Sequence, residues 1–257
     1  MSSTGLRHPK IIEVRPENIS QFLGRHSKLN SKYAFLHIPK TGGSSYFDFI
    51  SKNKNAYESF PTPLFHTWTV RLAIKYFGDV KIICFLRDPL ERIISGFQSR
   101  SKMGLPKYSV PWSAEEAAAF ALFPTVIDFL NALKGSDGRS IAATTFAMNN
   151  ILAVKWNYKY YFESEEYLEA LSDSLLVYEL KDAQAAMRDL VEKEVIKKVG
   201  KNEHNFDIMS FPISHKSSVK SSSFLDGFSP AEIEAMRARI CDEYSIYNRL
   251  SEICHRL

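Results

Sequence analysis

The chain has 257 residues, 45% of them hydrophobic and 24% charged, with a formal net charge of +4. That is ordinary globular composition, long enough for one large α/β domain; its weak basicity makes no case for a nucleic-acid polymer but suits an anionic ligand. Three cysteines are too few, and odd in number, for a disulfide scaffold, and no window approaches the roughly 18 apolar residues of a membrane span.

In chain order, residues 1–30 carry little periodicity and read as irregular. They hold no apolar leader region, so a cytoplasmic protein is expected. Tyr33-Ala-Phe-Leu-His-Ile38, stopped by Pro39, predicts a buried strand; Thr41-Gly-Gly-Ser-Ser45 predicts a turn and Tyr46–Ile50 a helix. Val80–Leu86 predicts a second buried strand, with Cys84 in the core. Asp88-Pro-Leu-Glu91 starts a helix: Asp88 as N-cap, Pro89 in the first turn and Glu91 completing a capping box. Ser113–Glu116 and Ser229–Glu232 repeat that signature. Ser174–Tyr178 predicts a third strand, followed by an amphipathic helix near Asp182–Lys198. Ser214–Ser223 reads as a loop, and the last helix aligns Ile233, Met236, Ile240 and Tyr244 on one stripe. Strands alternating with helices predict a mainly parallel sheet covered on both faces, and with no linker composition the whole chain, 1–257, reads as one domain.

Two strand-turn-helix units hold the candidate chemistry. In Leu36-His-Ile-Pro-Lys-Thr-Gly-Gly-Ser-Ser45, Gly42 and Gly43 permit close backbone approach, and the helix N-terminus offers N–H groups to an anion. Lys40 adds a positive charge, and Thr41, Ser44 and Ser45 add hydroxyl donors. The lysine precedes the glycines, so this is not a Walker A motif, which argues against a nucleotide-dependent small-molecule kinase. The plain alternative is a Gly-Gly turn with an exposed lysine. In the second unit, Cys84–Phe97, Arg87 stands where the strand ends, which is where α/β ligands bind, and its fork suits a phosphate; the alternative is an ion pair with Asp88 or Glu91. Ser95 falls off the buried stripe of Leu90, Ile93, Ile94 and Phe97, near the angle of Asp88; read from the pattern alone it is a solvated hydroxyl.

Phe35–Ser45 resembles the 5'-phosphosulfate loop of the carbohydrate sulfotransferases, including the heparan sulfate 2-O and 6-O enzymes and bacterial relatives. Phe85-Leu-Arg-Asp-Pro-Leu-Glu-Arg92 with Ser95 resembles their 3'-phosphate motif. The two motifs occur in the family's order and cover under a third of the chain. The resemblance implies a P-loop-kinase-like three-layer fold and a sulfuryl donor, 3'-phosphoadenosine-5'-phosphosulfate (PAPS), released as 3'-phosphoadenosine-5'-phosphate (PAP). It implies that Lys40, Thr41, Gly42, Gly43, Ser44 and Ser45 hold the 5'-phosphosulfate, and that Arg87 and Ser95 hold the 3'-phosphate. The family's asparagine-serine loop near the C-terminus is not clean here; Lys216 and Ser217 occupy its place beside His215 and Ser218.

Sulfuryl transfer leaves a phosphate, so Lys40 suits the bridging oxygen and a base is needed for the attacking hydroxyl. His66, in Leu64-Phe-His-Thr-Trp68 between the two motifs, is the candidate, as a histidine of that interval is in the related heparan sulfate enzymes. It is expected at the start of a helical run beside Trp68, with Glu58 as the fallback. His37 reads as structural; His204 and His215 fall in late polar loops. No metal cluster is visible. The expected acceptor is a hydroxyl of a saccharide, with a small-molecule hydroxyl as the alternative. Lys107–Trp112 and Lys155–Phe162, which mix aromatics with lysines, are its candidate platforms, or else aromatic core with solvated lysines. A non-catalytic PAPS-binding protein would keep both motifs but lack a working base.

Overall fold

The computed structural model describes residues 32–53, 57–64, 66–102, 110–198 and 220–254. Its centre is a parallel sheet of four strands, β1 (Tyr33–Leu36), β3 (Thr62–Leu64), β4 (Lys81–Leu86) and β5 (Leu175–Glu179), in the order β3-β1-β4-β5. The short strand β2 (Tyr57–Ser59) lies outside this sheet and pairs antiparallel with β6 (Lys197–Lys198). β3, which follows Pro61 and contains Pro63, was not among the expected strands. Pro63 is accommodated because β3 is an edge strand, where one side of the backbone needs no ladder donor. The amphipathic helix expected near Asp182–Lys198 is shorter, Ala183–Glu192, and its last two residues are those of β6.

The central strands are buried on both sides, as continuous apolar runs require. Ala34, Leu36, Ile82, Cys84 and Val177 face one core with α2 (Val70–Phe77), α8 (Tyr158–Phe162), α9 (Glu165–Leu171) and α12 (Cys241–Ile253). Phe35, Ile83, Phe85 and Tyr178 face the other, with α1 (Gly43–Asn53) and α10 (Ala183–Glu192). A third apolar cluster joins α3 (Pro89–Arg100), α4 (Ala114–Leu122), α5 (Val126–Leu133), α6 (Gly138–Asn150), α7 (Leu152–Lys155) and α11 (Pro230–Arg239). The C-terminal helix breaks at Ile240, yet Ile233, Met236, Ile240 and Tyr244 still reach this third cluster together.

The helix starts follow local chemistry, with one correction. Asp88, Ser113 and Ser229 each accept the backbone N–H three residues on. Of these three, Ser229 alone forms the full capping box, with Glu232. At the other two, the glutamate is drawn away by an arginine: Glu91 to Arg87, and Glu116 to the buried Arg100. A charge-assisted pair outweighs one more bond to an exposed N–H. Among the described residues no single helix is long and apolar enough to cross a membrane.

Candidate functional site

All four parallel strands end on the same side of the sheet. The chain leaves β1 for β3 on one flank and then returns past β1 to lay down β4 on the other, so β1 and β4 bracket the point where the winding reverses. Ligands of open parallel sheets bind in the crevice beyond that point. The turn after β1 and Arg87 after β4 both stand there.

The turn is tightly built. Lys40 takes a left-handed backbone (φ 68°), as does Gly42 (φ 95°), while Thr41 folds back so that its N–H and hydroxyl both donate to the Ile38 carbonyl, at 3.4 and 3.0 Å. A lysine held in that conformation stores strain of order 1 kcal/mol, of the kind found at ligand-binding turns. The first bond within α1 runs from Tyr46 N–H to the Gly42 carbonyl, at 3.0 Å, so the N–H groups of Gly43, Ser44 and Ser45 precede the helical ladder and point out of its end. Gly43 is required for space and Gly42 for its left-handed backbone. A Cβ at Gly43 would lie 1.7 Å from His37 Cδ2, and one at Gly42 would lie 2.5 Å from Leu180 Cδ1. Of the hydroxyls expected to face an anion, Ser44 is half-buried, Ser45 is buried, and Thr41, 1% exposed, serves the turn itself.

Arg87 joins the second unit to the first. Its Nη1 lies 3.5 Å from the Lys40 carbonyl, and its Nε lies 3.4 Å from Glu91, so the ion pair foreseen as an alternative is present, at long range. Its side chain keeps 20% of its surface exposed. Ser95, about two helical turns further along α3, is half-buried. Asp88 is occupied elsewhere, capping α3 and accepting the Tyr244 hydroxyl at 2.8 Å.

His66 follows β3. Contrary to expectation it does not start a helix: it lies in a turn, and α2 begins at Val70, capped by Thr69. Nor is Trp68 its neighbour, for that ring is buried against Tyr76 and Phe77. Its aromatic partner is Trp156, stacked at 5.4 Å, with His37 behind it at 4.0 Å. His66 Nδ1 is 2.8 Å from the His37 carbonyl, which only accepts, so Nδ1 carries the proton and Nε2 holds the lone pair. Burial and the nearby Lys40 charge bring its pKa down to about 4, against the bond to His37, so the ring is neutral at neutral pH.

The segment Lys155–Phe162 divides. Tyr158, Tyr161 and Phe162 are core, whereas Trp156 is half-buried against His66, with the Lys155 ammonium 5.4 Å from its ring centre. Trp112 donates to the Arg100 carbonyl and stacks on Phe120, so the described end of the other segment belongs to the third cluster. Glu58 lies in β2, outside the parallel sheet. Lys216, Ser217, His204 and His215 lie outside the described residues. Tyr158 and Tyr161 were missed as site residues. The Tyr161 hydroxyl holds the His66 carbonyl at 2.9 Å and the Tyr158 hydroxyl holds the backbone of Arg87, and nothing in their spacing signals either contact. Among the described residues no group of three or more His, Cys, Asp or Glu is placed to hold a metal ion. Compared with family models, with curated proteins and with solved structures, the chain gives no match.

Proposed function

We propose that the chain is a sulfotransferase of P-loop-kinase-like fold that moves a sulfuryl group from PAPS to a hydroxyl, with a saccharide as the acceptor class. One observation carries the reading: two cationic elements, the Lys40 turn with its helix N-terminus and Arg87, stand side by side beyond the ends of β1 and β4, with Arg87 Nη1 3.5 Å from the Lys40 carbonyl. A ligand with phosphates at both ends of a ribose answers to two such sites; a ligand with one phosphate does not. The order of the motifs and their resemblance to those of carbohydrate sulfotransferases supports the same assignment.

In this reading the acceptor oxygen attacks sulfur in line. The bond from sulfur to the bridging oxygen breaks, and PAP leaves with that bond's electron pair. Lys40 and the N–H groups of Gly43, Ser44 and Ser45 stabilise the charge that grows on the 5'-phosphate. Arg87, with Ser95, holds the 3'-phosphate. The acceptor's proton passes to Nε2 of His66, the nitrogen that the tautomer leaves open. A base of pKa about 4 is weak; burial sets most of that depression, and an anion over Lys40 offsets only the smaller part due to the lysine's charge. Trp156, stacked on His66, offers a ring face beside the attacking position.

The test is calorimetry with PAP, AMP and ATP on the full chain. PAP binds much more tightly than either, and Arg87→Ala weakens PAP by about ten- to a hundredfold, the loss of one charge-assisted bidentate contact. Equal affinity for all three nucleotides overturns the assignment.

A further inference from the structure

The motif around Arg87 contains a second arginine, Arg92, that the reading above leaves without a role. Arg92 is fully buried and cannot touch a ligand. Its Nε donates to Glu243 at 2.7 Å, and its other nitrogens lie 3.3 Å from the Trp156 carbonyl and 3.4 Å from the Val154 carbonyl. Its guanidinium is 5.7 Å from the centre of the Tyr158 ring. Arg92 therefore holds the stretch of chain that delivers Tyr158 to the end of β4.

There the Tyr158 hydroxyl does two things at once. It accepts the Arg87 N–H at 2.9 Å and donates to the Arg87 carbonyl at 2.8 Å, across 71 residues of sequence. The register of β4 with β5 stops at Leu86, so Arg87 is the first residue past the ladder, and one hydroxyl satisfies both of its backbone groups. Burial pushes the Tyr158 pKa well above its ordinary value, so the hydroxyl keeps the proton it donates. From this backbone the Arg87 side chain reaches towards the Lys40 carbonyl.

We propose that Tyr158 is a positioning residue for Arg87: its hydroxyl fixes the backbone beyond β4 so that the guanidinium is preorganised for the 3'-phosphate, and Arg92 holds Tyr158 in place. This rests on the assignment of Arg87 to that phosphate. An unclamped Arg87 loses alignment to the 3'-phosphate alone, whereas a general loosening of the fold weakens every contact to the nucleotide.

The experiment measures PAP and AMP affinities by calorimetry for the full-length wild type, Tyr158→Phe, Arg87→Ala and the double variant. Tyr158→Phe, which removes one oxygen, lowers PAP affinity about tenfold, leaves AMP affinity within twofold, and adds nothing further in the Arg87→Ala background. Arg92→Lys, which keeps a buried cation but loses the fork to the Val154 and Trp156 carbonyls, shows the same selectivity and serves as the second variant should Tyr158→Phe not fold. Equal losses for PAP and AMP, or unchanged PAP affinity, overturn the proposal. Failure of the underlying assignment is read separately: there, wild type does not distinguish PAP from AMP, or Arg87→Ala leaves PAP binding unchanged, and the proposal falls with it.

Discussion

Acidification from pH 7 to 4.5 destabilises the protein through His66, and replacing that one side chain removes this part of the loss. The folded-state pKa is about 4, because burial and Lys40 disfavour the imidazolium. In the unfolded chain it returns to about 6.5. Between those values the unfolded chain binds more protons, so the stability His66 contributes is fully present above pH 6.5 and drains as the pH falls towards 4. Integrated over that interval, the loss at pH 4.5 is about 2 kcal/mol relative to pH 7. His66→Asn is the variant to use, since its amide stands near the position of Nδ1 and can still donate to the His37 carbonyl. Urea unfolding of both proteins at both pH values gives the quantity as a difference of differences, in which the carboxylates cancel. Wild type loses about 2 kcal/mol more than His66→Asn on acidification. Equal losses in the two proteins refute the depressed pKa.

Gly43→Ala drives a methyl into the His37 ring, which Phe47 and His66 flank at 5.3 and 4.0 Å, so it costs about 1–3 kcal/mol and lowers the melting temperature by several degrees. Gly138→Ala, where an added Cβ meets nothing within 4 Å, is the control and leaves the melting temperature unchanged or slightly raised. Glu116→Ala strands Arg100, which is 2% exposed and bound to both carboxylate oxygens at 2.7 and 2.5 Å; chemical denaturation shows a loss of about 3–5 kcal/mol. The double replacement Arg100→Met with Glu116→Leu restores most of that stability, because no uncompensated charge remains; a double variant as unstable as the single one contradicts the account.

What local chemistry alone dictates was legible in the sequence. The runs 33–38, 80–86 and 174–178 announced buried parallel strands, and Asp88, Ser113 and Ser229 announced helix starts, because a cap is satisfied within three residues of itself. The turn expected at Thr41–Ser45 was visible in part: the chain turns over Pro39–Gly42, and the helix expected from Tyr46 already begins at Gly43. The neighbours of these groups were not visible. Trp68 is adjacent to His66 in sequence by two residues yet points into the core, while Trp156, 90 residues away, stacks on it. Glu91 and Glu116 match the capping pattern but answer to arginines, one of them 16 residues distant. β3, with a proline that an edge position tolerates, was not among the expected strands. Sequence by itself determined the three central strands and the capped helix starts, because those preferences act over a few residues. Which side chains surround His66 and Arg87, and hence the protonation of the one and the aim of the other, was decided only when packing brought Trp156, Tyr158 and Arg92 to the ends of the strands.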